Sequence, residues 1–420
     1  MSGRALPRLA LTLVVGAIGL AGCGGGGAQP EPRLRATQLT IWSSVPERGP
    51  LRDVAADVLD AERLALAQDG PRVGRYRVQL VALDASTPGL GRSDPAQISQ
   101  NARRAASDPR TVAYLGELAT GSSAISIPLL NEAGILQVSP LDTAMALTTS
   151  SSAVAGSPER YYPKLRDVGR TFARVVPSDR SQVTALLAAM QRDGVRRLAI
   201  LTDEDPSGRA LAVSLRAKAH TAGIAVVVRE EIDDHMTRHD DAIARMRAAG
   251  ADAALDATGT RPGAARLWRE LHGADPLLQL YAPDELADAD FLAGLGRAAA
   301  VAHVTRPRPV GVNGMPASWR FARAFARRYG RAPTPEARYG YEAMRSVLDA
   351  VRRAERDAAD GLVTRRAVVR AYFRTVEPGG VLGGYAIDRA GDTSLDDWGI
   401  YRVAGGALRL ERTVSSSIEG

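Results

Sequence analysis

The chain alternates between helix-like and strand-like segments along most of its 420 residues. In residues 53–67 the apolar side chains recur at roughly helical spacing, and an extended apolar run follows in residues 77–86. Further strands are expected at 111–118, 135–140, 198–205, 224–231, 252–259, 277–284 and 299–307. Helices are expected between them at 95–106, 121–134, 181–192, 207–222, 241–249 and around Trp268. Because this alternation places helices on both faces of parallel sheets, it predicts an α/β fold.

The C-terminal part of the chain changes character. Three consecutive helices are predicted at 318–329, 335–357 and 364–376. Short strands joined by Gly and Asp turns are then expected at 383–392, 398–403 and 408–414. We do not expect these short strands to form a separate domain.

The N-terminal segment has the pattern of an export signal. Arg4 and Arg8 form a short basic segment before an apolar run at residues 9–20. That run is too short to cross a bilayer, which needs about 20 residues, but it suits a signal peptide. It closes on the sequence LAGC, which resembles the lipobox of bacterial lipoproteins. We therefore expect residues 1–22 to be a lipoprotein signal peptide.

Cys23 ends this motif and is the only cysteine of the chain, so it has no disulfide partner. The lipobox resemblance implies that its thiol receives a diacylglycerol and that it becomes the lipidated N-terminus after cleavage. A free thiol beside a signal is the alternative. The glycine run at 24–27 and the proline-containing stretch after it cannot pack a core. Residues 23–35 are therefore predicted to be the lipidated cysteine and a flexible tether.

The rest of the chain has the composition of a folded, water-exposed protein. About 385 residues remain, enough for two domains of ordinary size, and 45% of the whole chain is hydrophobic. No second apolar stretch approaches membrane-spanning length. The formal net charge is +7, but the basic residues are interleaved with acids rather than clustered with aromatics. This pattern gives little support to a nucleic-acid partner.

Three stretches resemble the type I periplasmic binding proteins, in particular the leucine and branched-chain amino acid binding proteins of ABC importers. Residues 115–143 are similar to that family's strand, Ser/Thr-rich turn, helix and following strand. Residues 171–182 resemble the crossing into the second lobe, and residues 338–351 resemble the long helix that returns to the first. The resemblance implies two discontinuous Rossmann-like lobes with parallel sheets, joined by a three-stranded hinge. The implied lobes are 36–176 plus 307–383 and 177–306 plus 384–415.

The turn at residues 120–123 is a candidate ligand site in the first lobe. It lies between a predicted strand and a predicted helix, where free backbone N–H groups and hydroxyls can bind an anion such as a carboxylate. The alternative is an ordinary helix cap at Thr120. The family resemblance implies that Thr120 binds the ligand carboxylate beside Gly121. It also implies that Leu141, through its backbone, and Thr143 complete this clamp.

The second lobe contributes three candidate residues through the same resemblance. Ser207 and Thr260 fall where branched-chain binders usually carry tyrosine, so the walls that pack an aliphatic side chain are missing. Asp284 falls where the family places an acid that pairs with the ligand ammonium. Asp142 and Asp205 could add acidic groups that favour an amine or cationic ligand, or they could be turn residues at strand ends.

Other functional signals fail. His235 and His239 are spaced for a metal on one helix face, but the polar stretch around them favours a solvated loop. The chain has no Gly-x-Ser-x-Gly elbow, and its single Cys is assigned to lipidation. The loop at 87–95 lacks the Lys-Ser/Thr of a phosphate-binding loop. We therefore predict no catalytic residue, no metal and no cofactor.

These observations together predict an extracytoplasmic, lipid-anchored solute-binding protein of an ABC importer. The predicted ligand is an amino acid or a related small polar amine held between the lobes. The predicted partners are this small molecule, an ABC transporter permease, and the membrane through the lipid anchor. The alternative is a ligand-sensing or partner-binding lipoprotein of the same fold without a transport role, and an enzyme ranks third.

Overall fold

The computed structural model of the chain describes residues 37–88, 93–233, 238–259, 263–308 and 315–415. Several predictions fall outside these residues. They are the signal peptide, the lipidation of Cys23 with its tether, the ligand contact of Thr260, and the environment of His235.

The described residues form fifteen strands and eleven helices, beside short 3-10 turns. The strands are β1 (Gln38–Val45), β2 (Arg72–Val73), β3 (Tyr76–Asp84), β4 (Thr111–Leu115), β5 (Leu136–Ser139), β6 (Phe172–Arg174), β7 (Arg197–Thr202), β8 (Ala225–Glu231), β9 (Ala253–Asp256), β10 (Gln279–Ala282), β11 (Ala302–Pro307), β12 (Val376–Gly380), β13 (Gly383–Ala386), β14 (Asp397–Ala404) and β15 (Ala407–Ser415). The helices are α1 (Arg52–Asp69), α2 (Pro95–Ser107), α3 (Ser123–Glu132), α4 (Asp179–Arg192), α5 (Pro206–Ala219), α6 (Asp240–Ala248), α7 (Ala264–Ala274), α8 (Ala289–Gly294), α9 (Pro316–Tyr329), α10 (Ala337–Asp357) and α11 (Arg365–Tyr372).

The first sheet has six strands in the order β2-β3-β1-β4-β5-β6. All its pairs are parallel except β2 with β3. The residues of β4 are all buried, as expected for a parallel strand covered on both faces. We call this sheet and the helices packed on it lobe one.

The late helices α9, α10 and α11 belong to lobe one although they follow the whole second sheet in the sequence. Their apolar residues share one core with β1, β4 and α1. Helix α10 crosses α1 at Gly340, where a Cβ atom would approach the Val58 carbonyl oxygen to 2.7 Å. Only glycine allows the two helices to pack this closely.

The second sheet has seven strands in the order β15-β14-β11-β10-β9-β7-β8. Its five consecutive members from β11 to β8 are parallel, and the C-terminal strands β14 and β15 extend it by antiparallel pairing at β11. We call this sheet and its helices lobe two. The fold prediction is therefore confirmed: the chain forms two α/β lobes with mostly parallel sheets.

Two details of the packing differ from the predicted lobe boundaries. Tyr385 and Ile387 pack in the core of lobe one, so the boundary at 383/384 cuts through β13 and lies too early. Met145, Ala146 and Val154, from the long connection between β5 and β6, pack instead against the core of lobe two. Neither contact is visible in the local sequence pattern, because both depend on which lobe a segment touches after folding.

Strand β1 is the main element that the sequence pattern missed. Its polar residues Thr40, Ser43 and Ser44 obscure the apolar run, yet they are buried in the structure. The elements β2, β6, β12 and α8 were also not predicted, and each is six residues or shorter. The other helices and strands lie near their predicted positions.

His239 corrects one prediction. It is buried, with its Nδ1 3.0 Å from Glu270 Oε2, so the expected solvated loop is wrong at this residue. Within the described ranges, no group of three or more His, Cys, Asp and Glu side chains is placed to hold a metal ion. No helix in the described part of the chain combines the length and apolar character needed to cross a bilayer.

Candidate functional site

A cleft of about 970 Å³ separates the two lobes. Most of its lining comes from loops that follow the carboxyl ends of strands in both sheets, which is where open α/β sheets usually bind ligands. The lobe-one lining includes Pro46 after β1 and Leu141 after β5. After β4 it includes Leu118, Ala119, Thr120 and Ser122. Lobe two contributes Asp203–Asp205, Glu231–Asp233, Gly259, Asp284, Glu285 and Asp288, at or after the ends of β7, β8, β9 and β10.

The lobe-one turn already holds a carboxylate of the chain itself. Asp142 Oδ1 accepts hydrogen bonds from the backbone N–H groups of Gly121 (2.8 Å) and Ala144 (3.1 Å). Its Oδ2 accepts one from the Ser123 N–H (2.9 Å). The prediction that this turn offers free N–H groups to a ligand carboxylate is therefore wrong for Gly121 and Ser123. Asp142 occupies the position of a bound anion at the N-terminus of α3.

The side chains predicted to form the clamp also bond to each other. Thr120 Oγ1 lies 3.1 Å from Thr143 Oγ1, and the Leu141 N–H donates to Ser139 Oγ at 3.2 Å. Thr120 does not cap α3, whose N-cap residue is Ser122. Thr120 and Leu141 line the cleft, whereas Thr143 is buried behind it. The clamp predicted in lobe one is thus largely satisfied from within the protein.

Arg174 holds the loop that carries Asp142 in place. Its side chain is fully buried, and its guanidinium donates to the carbonyl oxygens of Asp142 (2.8 Å) and Ala144 (3.0 Å). It also forms an ion pair with Asp392 at 2.8 Å. Burial raises the pKa of Asp142, and the nearby Arg174 charge opposes that rise. The sequence contains Arg174 within an apolar stretch, but nothing local reveals what it holds.

Glu117 contacts the same turn through its backbone N–H, which donates to Ser123 Oγ at 3.1 Å. It is buried, and its carboxyl group accepts hydrogen bonds from Ser44 Oγ (2.8 Å) and Tyr114 Oη (2.7 Å). Burial raises the pKa of Glu117 to about 8. At neutral pH this group is therefore mostly protonated and acts as a polar support inside lobe one.

Asp284 lies on the opposite wall, in the 3-10 turn that follows β10. Its Oδ1 accepts a 2.6 Å hydrogen bond from Gln182 Nε2, which also donates to Thr305 Oγ1 at 2.9 Å. Burial raises the pKa of Asp284 to about 6, against the opposing effects of Gln182 and Arg306. The carboxylate is partly desolvated, so a cation placed beside it would be favoured more than in water.

Two predicted residues meet where the lobes touch. Ser207 lies at the start of α5, which Asp205 caps by accepting from the N–H groups of Ser207 (2.7 Å) and Gly208 (3.1 Å). A Cβ atom added to Gly121, which has a φ of +80°, would collide with Ser207 Oγ. Neither Gly121 nor Ser207 lines the cleft. They bring the lobes together beside it.

The comparison with protein families decides the classification. The family model described as periplasmic binding protein matches residues 40–407. The chain belongs to the periplasmic binding protein family. Its two-lobed architecture is the type I form, which confirms the resemblance noted in the sequence. This is a family of solute-binding proteins.

Solved structures of periplasmic binding proteins share this fold. A leucine binding protein, LivK, from Thermotoga maritima has a TM-score of 0.73 at 22% identity, covering 90% of this chain and 99% of its own. LivJ from Streptococcus pneumoniae, in complex with isoleucine, has a TM-score of 0.68 at 16% identity, with coverages of 90% and 99%. A solute binding protein from R. palustris, in complex with benzoate, has a TM-score of 0.68 at 15% identity, with coverages of 90% and 96%. A search of curated protein sequences finds no significant match. At these identities the likeness establishes the fold and leaves the ligand open.

The cleft of this periplasmic binding protein is strongly acidic. Among its described lining residues, ten are acidic and two are arginines. Eight of the acidic residues lie in lobe two: Asp203, Glu204, Asp205, Glu231, Asp233, Asp284, Glu285 and Asp288. The chain as a whole carries a formal net charge of +7, so the acidity is a property of the site.

Tyr339 is the main lining residue that the sequence did not reveal. It lies in the first turn of α10 and lines the cleft, although it is only 1% exposed. Its hydroxyl has no hydrogen-bond partner within the described part of the chain. Burial raises its pKa, so the hydroxyl stays protonated. The tyrosine is one of two in a helical apolar pattern, and that pattern alone does not separate a core residue from a ligand contact.

Proposed function

We propose that this protein is an extracytoplasmic, lipid-anchored solute-binding protein of an ABC importer that binds an amino acid or a related small polar amine. The proposal is carried by Asp284, a partly desolvated carboxylate in the wall of the cleft of a solute-binding fold. A ligand ammonium would give this carboxylate the counter-charge that its immediate hydrogen-bond partner, a neutral amide, does not supply. The relatives that bind leucine and isoleucine make an amine-bearing ligand a reasonable starting point for screening.

A ligand that contacts both lobes would favour the closed arrangement of the cleft. Thr120 and Leu141 are the lobe-one contacts we propose, and Asp284 is the lobe-two contact. Gly121, Thr143 and Ser207 would act by shaping the turn and the lobe contact. The proposed contact of Thr260 lies outside the described residues.

The test is a screen of amino acids and amines against the purified full chain, by thermal shift and then by calorimetry. We expect at least one amine-bearing solute to raise the melting temperature, and Asp284→Asn to abolish that shift. A protein that remains folded and responds to no amine would contradict the proposal. Uptake of the identified solute by cells with and without the gene then separates transport from sensing, the alternative role.

The lipid anchor is tested separately through Cys23. Cys23→Ser should release the protein from the membrane fraction without changing its melting temperature, because the proposed tether separates the anchor from the folded lobes. A Ser variant that stays with the membrane would contradict the anchor. This result leaves the ligand assignment untouched.

A further inference from the structure

We propose that the solute is an aliphatic diamine or polyamine, bound through two or more ammonium groups and without a carboxylate at the lobe-one turn. This inference rests on the proposed function, because it assumes that the cleft binds its solute at Asp284. It narrows the ligand by the charge and shape of the two walls.

The lobe-one turn argues against a ligand carboxylate. Asp142 accepts hydrogen bonds from the N–H groups of Gly121, Ser123 and Ala144 through its two carboxyl oxygens. An entering carboxylate would find these three donors already hydrogen-bonded to the Asp142 carboxyl group. It would lose its hydration without receiving hydrogen bonds in return, which is unfavourable.

The lobe-two wall argues for more than one positive charge. Its eight lining carboxyl groups lie at or after the ends of three strands, β7, β8 and β10, so they extend along the wall rather than forming one point. The two described arginines of the lining do not neutralise this wall. Arg48 pairs with Asp84 of lobe one, and Arg306 pairs with Glu336 at 3.1 Å. One ammonium at Asp284 would leave the acidic residues after β7 and β8 without a ligand cation.

Some of these carboxylates have structural partners, and their charge nevertheless faces the cleft. Asp205 caps α5, Asp288 caps α8, and Glu231 pairs with Arg209. Backbone N–H groups satisfy the first two without a counter-ion. Burial raises the pKa of Glu285, and the charge of Asp205 raises it further. The acidic residues of this wall therefore repel one another when no cation is bound.

Two buried polar groups next to the cleft lack partners in the described residues. They are the hydroxyl of Tyr339, which lines the cleft, and Oδ1 of Asp179, which is 2% exposed. Asp179 lies close enough to Asp284 that the charge of Asp284, after burial, raises its pKa. An ammonium group with its three donors could satisfy a hydroxyl oxygen and a carboxylate together.

Part of the remaining lining is aliphatic. Lobe one offers Pro50, Leu51, Val54 and Leu118 to the cleft, and Tyr339 is the one aromatic side chain in the described lining. A methylene chain between two ammonium groups matches an apolar wall that faces an acidic one. A quaternary ammonium usually requires several aromatic faces, which this lining does not provide among its described residues.

Four probes separate the two parts of the inference. Butylamine and putrescine have the same carbon chain and differ by one ammonium group. Leucine and lysine also carry a carboxylate, and they have one and two ammonium groups respectively. Calorimetry on the full chain should rank putrescine above butylamine by about tenfold or more, as expected for an added partly desolvated ion pair, and putrescine above lysine.

Two variants locate the second ammonium group. Glu285→Gln should weaken putrescine more than butylamine, because only the diamine reaches beyond Asp284. Asp290→Asn is the matched control, since Asp290 is an exposed acid of the same segment that does not line the cleft. It should change neither affinity. Equal losses for both probes in Glu285→Gln would overturn the assignment of the second charge.

The outcomes also separate this inference from the proposed function. If lysine or leucine binds more tightly than putrescine and loses affinity in Asp284→Asn, the function stands and the polyamine inference fails. If butylamine equals putrescine, the second charge is wrong. If the folded protein binds none of the four probes but binds another amino acid or amine of the screen, the polyamine inference fails and the function stands. If it binds no amine at all, both proposals are overturned.

Discussion

The two walls of the cleft solve the same structural problem in different ways. Each must terminate parallel strands and begin helices. Lobe one does so with Asp142, which caps α3 from a neighbouring loop and is locked by Arg174. Lobe two does so with Asp205, which caps the helix that directly follows it and leaves the wall acidic. Lobe one therefore presents a rigid surface whose donors are used, and lobe two presents charge that a ligand can neutralise.

This difference teaches that a shared fold does not carry a shared ligand clamp. The turn at residues 120–123 has the composition of an anion site, and the one side chain at 142 fills it. The acidic wall then becomes the selective surface. The variants below test this comparison, beginning with the largest expected effect.

Asp142→Ala should have the largest effect on stability. It leaves up to three buried N–H groups without an acceptor and removes the counter-charge near Arg174, which should cost about 3 to 5 kcal/mol of unfolding free energy. Chemical denaturation measures it. Asp205→Ala removes an acid that holds two N–H groups at a partly exposed site and should cost about 1 kcal/mol. Equal losses would contradict the contrast between the walls.

Asp284→Ala should act on binding instead. Removing this acid should weaken an amine ligand by about 2 to 5 kcal/mol, which is roughly 30-fold to several thousandfold. The unliganded protein should keep or exceed its melting temperature, because burial raises the pKa of this group and makes its ionised form unfavourable in the empty cleft. Calorimetry measures the affinity, and thermal denaturation measures the melting temperature of the unliganded protein. An unchanged affinity would remove Asp284 from the site.

Gly121→Ala tests the contact between the walls. At a φ of +80° an alanine costs about 1 to 2 kcal/mol, and its Cβ would collide with Ser207 Oγ and push the lobes apart. Gly169→Ala is the control, because Gly169 has a φ of +84° and open space around its Cα. Both should lose similar stability, but only Gly121→Ala should weaken the ligand and enlarge the radius of gyration in X-ray scattering.

A double variant serves as a further control for this prediction. Ser207→Gly in the Gly121→Ala background removes the colliding hydroxyl and should restore affinity while leaving the backbone strain. If the Gly121→Ala and Gly169→Ala proteins have the same affinity and the same scattering, the lobes do not meet at this glycine in solution.

The smallest effect is a pH dependence with opposite signs for stability and binding. Because the pKa of Asp284 rises to about 6 on folding, the folded state binds the proton more tightly, and this group's contribution to stability is lost as the pH rises from about 4 to about 6. Asp179 and Glu285 shift in the same direction. Amine affinity should instead fall below pH 6, as Asp284 loses its charge. In Asp284→Asn, stability and amine affinity should both depend less on pH. If both keep the pH dependence of the parent protein, other groups are responsible for it.

Much of the fold followed from local patterns. The alternation of apolar runs predicted most parallel strands and helices, since each run reflects a strand buried on two faces or a helix buried on one. Strand β1 was not predicted, because Ser43 and Ser44 are polar residue types and the sequence does not show that they are buried. The packing of residues 145–154 on lobe two was not predicted, because it is a contact between segments far apart in the chain.

The site divides in the same way. The sequence by itself determined that residues 120–123 form a turn before a helix, and that Asp205 and Asp284 lie at strand ends. The tertiary structure decided that Asp142 fills the first turn, that Ser207 meets Gly121, and that Tyr339 reaches the cleft with a hydroxyl that has no partner among the described residues. The physical reason is the distance along the chain over which each interaction acts. Caps and apolar periodicity are set by residues within one or two turns, whereas a hydrogen bond from one loop to another, or the charge of a wall, exists only after separate strands have been brought to one edge of a sheet.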